Sequence, residues 1–278
     1  MKLTLGFSPC PNDTFIFDAM VNGRIDTEDL EFDYFLADVE ELNRRVFAAE
    51  SDISKISCHA YAYAADNYLI LDSGGAMGYG SGPLLISKRT IDMVNPEKLH
   101  IAIPGIYTTA NLLLSIAWPT ALNKTEYLFS DIENAVLNDE ADAGLIIHET
   151  RFTYMKKGLI KIADMGEFWE SLAQLPVPLG VIAVNRKLPE HVALKVNRVI
   201  RRSLEYASAN SAGEEPGNFI LSNSGQTDRD VIKSHISLFV NDFSLNLGRI
   251  GRNALTELFR ISSEKGITPL LPERIFLT

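Results

Sequence analysis

Lys2-Leu-Thr-Leu-Gly-Phe-Ser8 runs directly into Pro9-Cys-Pro-Asn-Asp-Thr-Phe-Ile-Phe17. The first segment reads as a short buried strand. Prolines at 9 and 11 keep a helix from running through the turn and stiffen it. Asn12 or Asp13 is placed to cap a helix whose apolar face begins at Phe15, Ile16 and Ala19. A rigid polar loop therefore stands at the carboxyl end of the first strand, where open α/β sheets bind ligands. On that ground Ser8, Pro9, Asn12 and Asp13 are candidate cleft-lining residues. A plain strand-to-helix turn is the alternative, because such residues recur in turns everywhere.

The alternation continues outward from this stretch. Strands are expected at 31–36, 53–56, 68–71 and 83–87, with helices at 13–21 and 39–49 and near 59–65. A second series follows the polar connection after Lys88-Arg89: strand 100–103, helix 108–117, helix 131–138, strand 143–147 and helix 149–156. Strand 179–185 follows the Pro-rich Leu175-Pro-Val-Pro-Leu179, and the remainder reads as helical, at 190–209, 217–221, 228–239 and 248–265. Such alternation predicts mostly parallel sheets covered by helices.

A weak internal echo points to two lobes. Glu50-Ser-Asp-Ile-Ser-Lys-Ile56 leads to Ser57, and Glu140-Ala-Asp-Ala-Gly-Leu-Ile-Ile147 leads to His148. Each has a helix, an acidic turn, a short strand and a polar residue at the strand's end. The expected division is a first lobe of residues 1–88 and 186–278 and an inserted second lobe of residues 89–185. Segments 83–87 and 179–185 would cross between them, leaving a hinge and a ligand cleft.

The chain has 278 residues, a formal charge of −10, 46% hydrophobic and 22% charged residues. This suits a packed α/β protein and argues against disorder. The acidic balance, with only scattered basic pairs such as Arg44-Arg45 and Arg201-Arg202, argues against a nucleic-acid partner. An alternating strand at the start, no apolar run of spanning length, and only Cys10 and Cys58 fit a cytoplasmic chain without a membrane span or disulfide framework. Both cysteines fall at strand ends of one lobe and are expected to be reduced cleft-wall residues. Oligomeric state is not legible.

His148 is the foremost catalytic candidate. It closes an apolar strand, and imidazole titrates near neutrality, as a general base should. The alternative is a hydrogen-bonded structural histidine. His59, just past Ser57, reads as able to approach the cleft, whereas His100, His191 and His235 carry weaker signals. Histidine and cysteine spacing suggests no metal site. Lys55-Ile-Ser57 ends the third strand, and Ser57 is either a site residue or an N-cap. Thr108-Thr-Ala-Asn111 opens a helix whose free N–H groups favour an anion such as a carboxylate, or are simply capped. Gly74-Gly-Ala-Met-Gly-Tyr-Gly-Ser-Gly82 lacks a Gly-Lys-Ser/Thr ending and precedes a strand, so it is read as a set of tight turns beside the hinge rather than a phosphate loop.

Taken in order, Ser8–Phe17, Lys55-Ile-Ser57, Gly78-Tyr-Gly-Ser-Gly-Pro-Leu84, Thr108-Thr-Ala110, Ile147-His-Glu149 and Pro176-Val-Pro-Leu-Gly180 resemble the 1,4-dihydroxy-6-naphthoate synthases of the futalosine route to menaquinone. The resemblance is best over residues 1–186. It implies an α/β fold like the two-lobed type II periplasmic solute-binding proteins, with a central ligand cleft. It further implies a lyase that needs no cofactor and cleaves cyclic dehypoxanthine futalosine to 1,4-dihydroxy-6-naphthoate and dihydroxyacetone. By that resemblance His148 is the proton acceptor, Lys55, Ile56 and Ser57 contact the substrate from one lobe, and Thr109 and Ala110 contact it from the other. The expected partner is thus a small molecule carrying an aromatic carboxylate. Chorismate dehydratase of the same pathway and a non-catalytic solute-binding protein are the alternatives.

Overall fold

The computed structural model describes residues 1–210 and 216–277; positions 211–215 and 278, within the stretch assigned to the first lobe, lie outside the described residues. The chain opens with β1 (Lys2–Phe7), α1 (Pro11–Val21), β2 (Glu31–Leu36), α2 (Val39–Phe47), β3 (Ile53–Ser57), α3 (Cys58–Ala64), β4 (Tyr68–Ile70) and β5 (Ala76–Gly78). It continues through β6 (Leu84–Ser87), β7 (Ile101–Ile103), α4 (Thr109–Ala117), β8 (Lys124–Glu126), α5 (Ile132–Leu137), β9 (Ala143–Ile146) and β10 (Ile160–Asp164). After α6 (Met165–Ala173) and β11 (Val177–Asn185) come α7 (Glu190–Asn210), α8 (Asn218–Asn223), α9 (Arg229–Phe239), α10 (Asp242–Leu245) and α11 (Gly248–Glu264).

These strands form two sheets. The first runs β2-β1-β3-β11-β4, with β5 beside β11; the second runs β10-β6-β9-β7-β8. Strand β11 shows why the first sheet needs helices on both faces. Val181 and Ala183 belong to one apolar cluster, while Ile182 and Val184 belong to another on the opposite face. Both sets are buried, as the two-residue strand period requires of a sheet covered on each side.

The sheets are mixed rather than mostly parallel. Strands β1–β2, β1–β3, β7–β8 and β7–β9 pair parallel. Strand β11 runs antiparallel to β3, β4 and β5, and β6 runs antiparallel to β9 and β10. The segments passing between sheets account for this, because a strand that enters from the other lobe arrives reversed. Sheet membership also places these passages earlier than the sequence suggests: β6 already belongs to the second sheet and β11 already belongs to the first.

Local chemistry explains the other departures. The first helix starts at Pro11 rather than Asp13, since proline at the first helical position loses only an N–H that would be free anyway; Cys10 occupies the N-cap without a side-chain bond. The expected helix at 149–156 is instead two 3-10 turns, His148–Phe152 and Tyr154–Lys157, ended by left-handed Gly158. The Pro-rich stretch proves to be the start of β11. Pro178 sits at a register shift opposite β5, before pairing with β3 begins at Gly180, a position where a missing N–H is tolerated. Among the described residues, no helix is long and apolar enough to cross a membrane.

The first passage is tightly built. A Cβ on Gly82 would lie 2.0 Å from the Gly166 nitrogen and 2.3 Å from its Cα. Backbone cannot swing aside as a side chain can, so Gly82→Ala is expected to cost about 1–3 kcal/mol. Urea unfolding checks this, and an unchanged midpoint would contradict it.

A candidate active site between the sheets

A cavity opens where the ends of both sheets meet. Its walls include Ser8, Asn12 and Asp13 from the first turn and α1, Lys55, Ile56 and Ser57 from β3, Thr108, Thr109 and Ala110 at the start of α4, and His148. The candidate site residues are therefore brought to one cavity apart from Pro9, which is half-buried, and the cysteines and His59 considered for the cleft, which do not line it.

The floor is a buried polar network. Asp13 accepts from the Ser8 N–H (3.2 Å) and Oγ (2.7 Å) and from Asn12 Nδ2 (2.9 Å). Lys55 Nζ lies 3.4 Å from Asp13 Oδ1 and donates to the Gly74 carbonyl. Asp13 thus turns back to the preceding strand and across to β3 instead of capping its own helix. Both members of this ion pair are almost wholly inaccessible, at 4% and 7% side-chain exposure, so removing either would leave its partner without a counter-charge away from water.

Ser57 occupies the N-cap position of α3, but its side chain makes no capping bond. Its N–H donates to Asn43 Oδ1 (2.9 Å) and its Oγ accepts from Asn43 Nδ2 (3.2 Å). Helix α2 thereby reaches across to the loop before α4: Asn43 Nδ2 also approaches the Tyr107 carbonyl (3.3 Å), and the Tyr107 N–H is shared by the two Glu40 oxygens at 3.2 Å each. Gly105, at φ 150°, admits this contact, because a Cβ there would lie 2.5 Å from Glu40 Oε2.

Burial pushes the Glu40 carboxyl up from 4.5 to about 7, against the bonds from Asn43 and Tyr107. Between these values the folded protein keeps a proton that the unfolded chain has lost. Stability should accordingly fall as pH rises from about 4.5 to about 7. Glu40→Gln keeps an acceptor for Tyr107 and is expected to flatten that part of the profile, as thermal melts across pH would show.

On α4, Thr108 caps through its side chain, accepting from the Asn111 N–H (3.3 Å). Thr109 Oγ1 donates to the Leu179 carbonyl (2.6 Å) of β11. The Thr109 and Ala110 N–H groups are left without intrahelical acceptors at the cavity wall. The side-chain cap therefore does not occupy every N–H group at this helix start.

His148 stands opposite. Strand β9 ends at Ile146, and His148 turns the chain with φ 58°, a left-handed conformation that costs a non-glycine residue energy and recurs at functional sites. Phe129 meets its ring edge-on at 4.8 Å, and the His235 ring lies parallel at 6.0 Å. Among the described residues, neither ring nitrogen of His148 makes a hydrogen bond. Burial lowers its pKa below the ordinary histidine value, while neighbouring Glu149 pulls the other way and His235 adds to the lowering. A neutral imidazole with free nitrogens facing a cavity can accept a proton.

Arg151 escaped the sequence reading and His235 carried only a weak signal there, yet both line the cavity. Arg151 donates to the Gly82 carbonyl (2.8 Å) and lies 3.8 Å from Asp164. His235 lies on α9 within the apolar stripe Val231, Ile232, His235 and Phe239, all buried; a histidine in such a stripe was the available signal. His59 faces away, its Nδ1 3.2 Å from the Thr108 carbonyl, with burial lowering its pKa to about 4. Cys10 and Cys58 are free and buried but are not on the cavity wall, and burial pushes Cys58 up to about 12. Among the described residues, no group of three His, Cys, Asp or Glu is arranged to hold a metal.

Residues 3–264 match the family model described as menaquinone biosynthesis. The chain is 39% identical over 275 residues to a 1,4-dihydroxy-6-naphtoate synthase of Thermus thermophilus, with 99% of each chain covered. It is 34% identical over 275 residues to one of Streptomyces coelicolor, covering 97% of this chain and 95% of that one. A solved structure from Archaeoglobus fulgidus aligns with a TM-score of 0.88 at 37% identity, covering 96% of this chain and 98% of that one. A Candida albicans protein described as having the generic periplasmic binding protein fold aligns with a TM-score of 0.69 at 15% identity, with 97% and 91% covered. At that identity the likeness shows the fold alone: a two-lobed α/β architecture of the periplasmic-binding-protein type.

Proposed function

The chain belongs to the menaquinone-biosynthesis family, and we propose that it cleaves cyclic dehypoxanthine futalosine to 1,4-dihydroxy-6-naphthoate and dihydroxyacetone, with His148 as proton acceptor. The observation that carries this reading is His148 itself, an imidazole whose nitrogens make no hydrogen bond among the described residues, held at a left-handed turn on the wall of the cavity.

The two sides of the cavity then divide the work. Ile56 and Ser57 meet the substrate from the first sheet, beside the fixed Lys55–Asp13 pair. Thr109 and Ala110 meet it from the second, where the α4 N–H groups suit the aromatic carboxylate. His148 removes a proton to start a retro-aldol-like carbon–carbon cleavage, and formation of the aromatic ring drives it forward. Leu42, Ile146, Leu179 and Phe239 supply apolar wall that keeps water from the intermediate.

The direct test is purified protein incubated with cyclic dehypoxanthine futalosine, without added metal or cofactor, followed by mass spectrometry. Appearance of 1,4-dihydroxy-6-naphthoate is expected. Saturable binding with no product would overturn the assignment and favour a binding protein.

A further inference from the structure

Behind His148 lies a buried arrangement whose hydrogen-bond logic leaves one proton to be placed. Asn12 Nδ2 donates to Asp13 Oδ1 (2.9 Å). A carboxylate paired with Lys55 only accepts, so the amide orientation is fixed and Asn12 Oδ1 faces outward. That oxygen lies 2.9 Å from His235 Nε2, which must therefore carry hydrogen. The other ring nitrogen, Nδ1, faces Glu149 Oε2 at 3.5 Å. Both atoms are buried and have no hydrogen-bond partner among the described residues, and His235 is wholly inaccessible. Two bare lone pairs facing each other away from water would repel and go unsatisfied. One proton between them resolves this.

We propose that Glu149 and His235 hold that proton as a pair, and that the pair sets how readily His148 accepts a proton from the substrate. The proposal rests on reading His148 as the base. Neither partner is assigned a direct role: the two nitrogens of His235 are turned to Asn12 and Glu149, so both act through His148 as positioning residues. Glu149 adjoins His148 in the chain and favours its protonated form, whereas His235, stacked parallel to it, disfavours that form. At Glu149 burial is the strongest influence and pushes the carboxyl up, but the approach of His235, the nearby His148 and a backbone bond together outweigh it and leave the carboxyl below the ordinary value. The remaining charged groups acting on His148 are Asp13 from α1 and Asp38 ahead of α2; Cys10 faces Glu149 from the first turn, and Lys55 balances Asp13.

The test is a pH titration of histidine ring nitrogens by NMR in the full chain labelled with ¹⁵N-histidine, comparing wild type, Glu149→Gln, His235→Gln and the double variant. The His148 midpoint is expected to fall by about one pH unit in Glu149→Gln, to rise by about as much in His235→Gln, and to return near the wild-type value in the double variant. The acid limb of kcat/KM should move with it. Variants that melt like wild type yet leave the midpoint in place, or move it in the same direction, would overturn the proposal. If His235→Gln does not fold, Glu149→Gln alone decides by the presence or absence of its downward shift. Because the NMR midpoint needs no turnover, failure of the pair is distinguishable from failure of His148 as base, which is read from the turnover of His148→Ala.

Discussion

His148→Ala is expected to fold and bind substrate but to turn it over about 10²–10⁴-fold more slowly, the usual loss when a positioned general base is removed. Stability should change little. The half-buried ring makes no hydrogen bond among the described residues, so the variant loses only its contacts with Phe129 and His235 and a modest preference of histidine over alanine for the left-handed turn at φ 58°. The loss should therefore fall on kcat rather than on KM. Steady-state kinetics with a parallel thermal melt separate these terms, and a kcat within a few-fold of wild type would remove His148 from the chemistry.

Asp13→Ala is expected to have the largest effect on stability. It strips the buried Lys55 ammonium of its counter-charge and leaves the Ser8 N–H, Ser8 Oγ and Asn12 Nδ2 without their shared acceptor. Breaking one side of such a pair costs about 3–5 kcal/mol, or roughly 10 °C in melting temperature for a chain of this size. Most of that cost is the stranded cation. Adding Lys55→Met to Asp13→Ala should consequently restore much of the stability, since an apolar side chain tolerates the site where a lone ammonium does not. Calorimetry on the single and double variants reads this directly. A double variant as unstable as Asp13→Ala would place the cost in the turn's hydrogen bonds instead.

The two results bear on what the sequence could reveal. Lys55–Ser57, Thr108–Ala110 and His148 were legible because each stands at the end of a strand or the start of a helix, where backbone geometry fixes which way a residue faces. The Ser8–Asp13 turn was legible as a rigid loop, but not in its wiring. Asp13 looked like a cap for its own helix, and only the fold shows it turned toward Lys55. Arg151 and His235 stayed hidden for a different reason. They reach the cavity from a 3-10 turn and from a helix near the other end of the chain, and no local pattern encodes a meeting between residues so far apart. Short strands such as β5 and β8, with three residues each, carry too little periodicity to stand out from the loops around them. The helix expected at 149–156 failed because His148 enters it from a left-handed turn, and Thr150 Oγ1 then bonds back to the Ile147 carbonyl (2.6 Å), a local alternative to helical pairing.

The strand order also dictates a timetable for the chain as it leaves the ribosome. The second sheet is drawn from one uninterrupted stretch, β6 through β10, and all its pairings are available once Asp164 has emerged. The first sheet has to wait. Its strand β11 inserts between β3 and β4, and Ile70 at the end of β4 is bridged by Phe276. The amino-terminal strands, made first, are therefore completed last, holding Leu5, Ile53 and Ile70 in an unfinished sheet while most of the polypeptide is still being synthesised. Late closure of long-range pairings slows folding and exposes strand edges to misassembly. For this chain the vulnerable interval lies with the amino-terminal sheet, and the second sheet is the part equipped to fold ahead of it.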